Sequence, residues 1–318
     1  MPQPLVSILI SCFNGERFVD ECLACATSQS YSNVEVIFVD DGSTDGSLDV
    51  ARTWQSAGVK VLSQENAGQA AALNRAFANS RGAFVQYLDI DDLLHRDKIR
   101  VQVERLIDAP AGSIATGKWG RFRETPADAV FRWEPVWKDL DPIEWMTTGG
   151  TMPDNGWLLP RAIVEAVGPW PVHLRWAIGF DYHFFVRAVL ASSACLYCEG
   201  AVSYYRSTPG SHSSARTLRS REETLQLVLE CGEALLRKED SPRTRAAFAD
   251  SLMIFIYSAY PKSPDLVSRA EQRVAALGGS RRPFARGGGG PLTVACSRFV
   301  GWKAAKRARL IAGAVLWR

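Results

Sequence analysis

No stretch of the 318 residues runs for about 18 uncharged apolar positions, so the sequence offers no clear membrane span. The opening MPQPLVSILISCF has no basic segment ahead of its apolar run, and a signal peptide is not expected. The net charge is only +3, which gives no reason to expect nucleic acid as a partner. The seven cysteines are scattered and odd in number. A disulfide framework is therefore not expected in a chain this long, and a reducing cytoplasm is. Two cysteine pairs have a zinc-like spacing. Cys195 and Cys198 fall in a strand pattern, where residues three apart face opposite ways. Cys22 and Cys25 fall in a helical pattern and read as small buried hydrophobes. The Gly-x-Gly-x-x-Gly turn of a dinucleotide-binding dehydrogenase is also missing. SCFNGERF stands where that turn would follow the first strand.

The chain does contain short apolar runs that alternate with helical patterns. VSILIS (6–11), VEVIFV (34–39), VKVLSQ and AFVQYLDIDD read as buried strands. Between them GERFVDECLACATSQ, a segment over 47–56 and the Ala-rich GQAAALNRAFANS read as helices, and RDKIRVQVERLIDA follows the fourth strand. This alternation predicts a mostly parallel, doubly wound α/β sheet. Ligands of such sheets bind beyond the carboxyl ends of the strands. Ser11 to Asn14, Asp40 with Asp41, and Asp89 to Asp92 all fall at those ends. Past about residue 112 the alternation breaks, and GKWGRFRE and FRWEPVW read as irregular. GFDYHFFVRAVLAS then predicts a helix, CLYCEGAVSYYR a strand, and 217–278 an all-helical region.

The stretch VQYLDIDDLLHRDKI ends an apolar strand in Asp89, Asp91 and Asp92. Three carboxylates within four positions repel one another unless a cation holds them. A divalent ion with oxygen ligands, Mg2+ or Mn2+, is the natural partner, bridging one or two carboxylates to phosphates. For Asp92 a helix cap is the competing reading.

These segments resemble the inverting family 2 glycosyltransferases of the GT-A fold, from Val6 to about Ser214. The resemblance rests on VSILISCFNGERFVDECLACATSQSYSNVEVIFVDDGSTDGS, then NAGQAAALNRAFANSRGAFVQYLDIDD, WLLPRAIVEAVGPW, GFDYHFFVRA and YYRSTPGS, in that order. It implies a nucleotide-sugar donor, most often a UDP-sugar, and a saccharide or lipid-linked acceptor in cell-surface polysaccharide or glycoconjugate synthesis. It implies that Ser11, Phe13, Asn14, Asp40, Asp41, Asn66, Gly68, Asn74 and Asp89 serve the nucleotide. Asp91, with Asp89, would hold the metal, and Asp181 would be the general base. The first acid of the family's usual acid pair is replaced by Phe180. Thr208 stands where the family often has a metal-binding His, and His212, four residues on, is the substitute to consider. Arg206 and Trp157 are the acceptor-side candidates, a guanidinium for phosphate and a flat ring for a sugar face. The alternative is a catalytically inactive nucleotide-sugar-binding module of the same fold. All four acids at 40, 89, 91 and 181 are present, which argues against it.

The expected division is a catalytic domain over 1–215, with a nucleotide-binding half at 1–112 and an acceptor half at 113–215. A helical extension over 216–278, a Gly/Arg-rich flexible linker over 279–292 and a basic helix over 293–318 follow. From Arg298 to Arg318 the tail has six basic residues and no acid. Val300, Ala304, Ala308, Ile311 and Val315 share a helical stripe. That pattern predicts peripheral contact of 298–318 with the inner face of the cell membrane. The competing occupants of the stripe are the helical extension and a second subunit, which leaves a homodimer open.

Overall fold

A computed structural model describes residues 3–132, 136–148, 152–208, 217–281 and 301–316. The chain divides into two compact units, residues 1–175 with 181–211, and residues 176–180 with 212–318.

In the first unit the apolar runs become strands β1 (Val6–Cys12), β2 (Val34–Asp40), β3 (Lys60–Ser63) and β4 (Phe84–Asp89). Helices α1 (Glu16–Thr27), α2 (Ser47–Thr53) and α3 (Gln69–Ala78) connect them. The sheet order is β3-β2-β1-β4-β7, with β1 to β4 parallel and the short β7 (Leu159–Pro160) antiparallel at the edge. All seven residues of β1 are buried, as expected for a central strand covered on both faces. Val19, Cys22, Leu23 and Ala26 of α1 pack with Ile8, Ile10 and Phe38 in the main core. Cys22 is thus a core residue, and the Cys25 thiol hydrogen-bonds the backbone of Leu94.

A second sheet was not legible as such. After β5 (Leu93–Leu94) and α4 (Lys98–Ile107) comes β6 (Ile114–Phe122), which contains the GKWGRF segment read as irregular. It pairs in parallel with β8 (Cys195–Arg206), and β5 pairs with β8 in antiparallel. The β6–β8 register shifts at Gly117 and Lys118. A Cβ at Gly117 would lie 2.2 Å from the Ala201 carbonyl oxygen, so only glycine fits there. Helices α5 (Pro142–Thr148), α6 (Arg161–Val167) and α7 (Phe180–Ala191) complete the order of elements up to β8. Tyr87, Trp170, Phe184 and Phe185 form an aromatic layer between β4 and α7, with Trp170 stacked on Phe184 at 4.3 Å.

The second unit is helical over α8 (Leu218–Lys238), α9 (Pro242–Ala259), α10 (Pro264–Ala276) and α11 (Trp302–Leu316). Thr217 caps α8, and Ser241 with Thr244 forms a capping box on α9. Leu225, Phe248, Leu252, Ile256 and Val267 are its core. The start of α11 packs on this core, which limits the expectation of a free tail. Trp302 meets Tyr257 and Tyr260 edge-on, Lys303 pairs with Glu271, and the buried Lys306 donates to the Tyr257 carbonyl. Ala304, Ala308, Leu310 and Ile311 stay exposed. Most of the expected linker and the first residues of the basic segment lie outside the described residues. Among the described residues no helix is long and apolar enough to cross a membrane.

Candidate active site

The site is built at the carboxyl ends of β1, β2 and β4, where the chain must leave the sheet. Ser11 is in register with both Val39 and Asp89, and Cys12 with Asp40. Neighbouring strands lie about 4.8 Å apart, so the three strand ends present their polar residues side by side.

On the β1 side the backbone turns at Asn14, which takes a left-handed φ of 52°. Asparagine tolerates that region better than most residues. Its side-chain oxygen accepts from the Thr44 amide at 2.8 Å, which ties this turn to the one after β2. Phe13 is left 51% exposed, a flat ring open to a ligand. At the end of β2, Asp40 accepts from the Ser43 amide and the Ser63 hydroxyl. Asp41 accepts from the amides of Ala67 and Gly68 and from Gln64. It therefore fixes the loop containing Asn66. Gly68, with φ +93°, lets that loop turn into α3. Arg175 lies over Gly68 and donates to the Asn66 side chain.

At the end of β4 the chain turns sharply, and the Asp92 amide bonds back to the Asp89 carbonyl. Asp92 is no helix cap. It is buried and accepts from the Arg206 amide at 2.8 Å and the Asn155 side chain at 3.0 Å. Asp89 accepts from Gln69 at 2.6 Å. Asp91 accepts from the Thr208 hydroxyl at 3.0 Å, so position 208 does face this turn. Burial and the neighbouring charges of Asp91 and Asp181 push the Asp89 carboxyl up to about 7. Burial, then Asp89 and Asp91, push Asp92 well above the ordinary carboxylate range.

Asp181, in the first turn of α7, is half-buried beside these acids. Burial raises its carboxyl, while hydrogen bonds from Asp154 and from backbone amides pull it back. Asp154 carries no signal in the sequence, because a lone acid in the loop PDNGW has no periodicity or partner motif to mark it.

Several expectations need correction. Trp157 is 2% exposed, stacked on Phe185 and met edge-on by Trp145, so its ring has no face for a sugar. Asn74 spends both ends of its amide on the backbone of Trp170, a packing role rather than a ribose contact. Arg206 uses its guanidinium on the carbonyls of Asp91 and Glu124 and on the carboxylate of Glu21, and lies over the Phe122 ring. It holds the acidic turn and is not available to an acceptor. His212 lies outside the described residues.

Among the described residues no three His, Cys, Asp or Glu side chains converge as a complete metal site. What the turn offers is Asp89 and Asp91, with the charge of Asp91 adding to the cost of ionising Asp89 and with Arg206 already committed elsewhere. That donor set fits an oxygen-loving divalent ion completed by phosphate and water.

A family model described as "Glycosyl transferase family 2" matches residues 7–168, about half of the chain. Among curated relatives, the putative glycosyltransferase EpsH of Bacillus subtilis (strain 168) is 36% identical over 99 residues, 30% of this chain and 29% of that protein. The putative teichuronic acid biosynthesis glycosyltransferase TuaG of the same organism is 31% identical over 118 residues, 36% of this chain and 47% of that protein. The chain thus spans less than half the length of these relatives. Among solved structures, S. aureus TarS residues 1–349 in complex with UDP-GlcNAc superposes with a TM-score of 0.72 at 15% identity, over 96% of this chain and 92% of that one. The mannosyltransferase PcManGT from Pyrobaculum calidifontis, in complex with GDP-Man and Mn2+, gives 0.58 at 19% identity, over 98% and 86%. At these identities the likeness shows a shared fold.

Proposed function

The chain belongs to glycosyl transferase family 2, and from that premise we propose that it moves a sugar from a nucleotide-diphosphate sugar to an acceptor hydroxyl, with inversion. The observation that carries this reading is the placing of Asp181, half-buried, beside the acids that end β4. An inverting transfer is one displacement at the anomeric carbon. It needs a carboxylate on the acceptor side and charge neutralisation on the leaving-group side. Asp181 takes the acceptor proton. Phe13, exposed, and Ser11, Asn14, Asp40 and Asp41 at the adjoining strand ends bind the base and ribose, with Asn66 and Gly68 in the loop that Asp41 fixes. Asp91 and Asp89 would hold Mn2+ or Mg2+, which when bound supplies positive charge to the leaving diphosphate.

The donor is a UDP-sugar in this reading. TarS, of like fold, is described with UDP-GlcNAc, while PcManGT is described with GDP-Man. The acceptor is a saccharide or lipid-linked saccharide of a cell-surface polymer, a reading supported by the name of TuaG. Peripheral membrane contact would then use the exposed face of α11, Ala304, Ala308, Leu310 and Ile311.

The test is thermal-shift screening of UDP-, GDP- and dTDP-sugars with and without Mn2+. A ligand that binds only the folded chain raises Tm by mass action. One nucleotide class is expected to raise Tm in Mn2+, to lose most of that shift in chelator, and to lose it in Asp91→Ala, which keeps its own folded Tm. A full shift by Asp91→Ala in chelator would remove the metal assignment.

A further inference from the structure

The stretch that leads into α7 is fastened by the helical unit. Trp176 to Phe180 groups with that unit, and Asp181, the next residue, groups with the first. The covalent chain therefore passes from one unit to the other at the proposed base. Trp176 to Gly179 forms neither helix nor strand, so its backbone amides cannot draw their partners from a regular ladder. Two of them are taken up by α8. The Trp176 amide donates to the Glu223 carboxylate at 2.6 Å, and the Ile178 amide to the Thr224 hydroxyl at 2.9 Å. Each acceptor is itself held. Glu223 is 9% exposed, and its other oxygen pairs with Arg219, one turn earlier, at 2.9 Å. The Arg219 guanidinium also lies over the Trp176 ring, 5.8 Å from its centroid. Thr224 donates its own proton to the Ser220 carbonyl at 2.6 Å, which leaves its oxygen to accept from Ile178.

The choice of residues separates fixing from filling. Further along α8 the buried residues include Leu225, Leu227, Cys231 and Leu235, whose burial is favourable but carries no direction. Positions 219, 220, 223 and 224 share one face of the helix. There the chain uses a carboxylate and a hydroxyl, each bonded to a backbone amide. Hydrogen bonds set distance and angle, and the one to the carboxylate is of the stronger, charge-assisted kind. Only Gly179 and Phe180 separate Ile178 from Asp181. Gly179 has a φ of 76°, which makes the turn into α7. Over so short a span the place of Asp181 follows the place of Ile178.

We propose that Glu223 and Thr224 are positioning residues for the base: they pin the backbone at Trp176 and Ile178, and so set where α7 begins and where the Asp181 carboxylate stands. The helical unit is then part of the catalytic apparatus and not an appendage to it. This rests on the reading of Asp181 as the base. A general base must lie within hydrogen-bond reach of the acceptor hydroxyl, and a misplacement of about 1 Å can cost about a hundredfold in rate. Glu223 and Thr224 touch neither donor nor acceptor in this role, so they act on turnover and not on donor affinity.

Two measurements on the full chain test this. The first is hydrogen exchange and needs no substrate. Thr224→Val and Glu223→Leu each remove one acceptor and keep most of the side-chain volume. In both, the amides of 176–185 should exchange at least about tenfold faster than in wild type, while 225–276 keep their rates. Thr224→Ser keeps the hydroxyl and should exchange as wild type does. Unchanged exchange in Thr224→Val, or a rise spread evenly over α8 to α10, would overturn the proposal. The second is hydrolysis of UDP-GlcNAc, UDP-glucose and GDP-mannose. Thr224→Val should lose at least about tenfold in kcat with donor Kd within about threefold, and Thr224→Ser should restore kcat. Wild-type kcat in a Thr224→Val chain whose exchange has risen would make the contact a packing feature and reject the proposal. If Asp181→Asn instead keeps its turnover, the base assignment itself fails, and the exchange rates, which need no base, tell the two failures apart.

Discussion

Asp89 shows what the site costs the fold. Its carboxyl holds a proton up to about 7 in the folded chain, against an ordinary value of 3.8. Between those values the folded chain binds more protons than the unfolded one, so its stability falls as pH rises from about 4 to about 7. Asp92, Asp154 and Asp181 are raised too and act in the same direction. The metal-free protein should therefore melt lower at pH 8 than at pH 5, and Asp89→Asn should flatten that slope. Calorimetry across pH checks it, and a Tm that climbs toward pH 8 would contradict the cluster. The places of Asp89 and Asp91 at the end of an apolar run and of Asp181 at the start of a helix were legible in the sequence. Asp154 was not, because the loop that carries this lone acid is held by Lys98, Gln86 and Gln102, far from it in sequence. Trp157 and Asn74 were misread for a related reason. Sequence gives a ring or an amide, but not the partner that covers it, which for Asn74 is 96 residues away.

At the scale of elements, the parallel strands were legible from continuous apolar runs, and β6 was not. Gly117, Lys118 and Gly120 are weak strand formers, and pairing with β8 overrides that local preference. Gly117 is where this pairing is most exacting. Gly117→Ala should cost at least about 2 kcal/mol by overpacking against the Ala201 carbonyl, read as a lower denaturation midpoint. An unchanged midpoint would mean that the β6–β8 register is wrong. The tail gives the opposite lesson. Its basic, apolar-striped sequence reads as a membrane helix, yet Trp302 and Lys306 are used within the helical unit. Leu310 and Ile311 remain outward, 42% and 66% exposed. Anionic liposomes should co-sediment the full chain more than a chain ending at Pro291. Equal binding by both would leave α11 as a packing element alone.

For the whole molecule, one arrangement joins fold and chemistry: parallel strands deliver polar residues and acids to one edge, and α7 sets Asp181 beside those acids. The most direct measurement compares Asp181→Asn with wild type for donor affinity and for turnover at saturating donor. A base acts on the acceptor in the transition state and not on the bound donor. Donor Kd should stay within about threefold while kcat falls by at least about a hundredfold, the scale of general-base loss. A collapse of donor affinity with turnover preserved at saturation would make Asp181 a donor ligand and contradict the account.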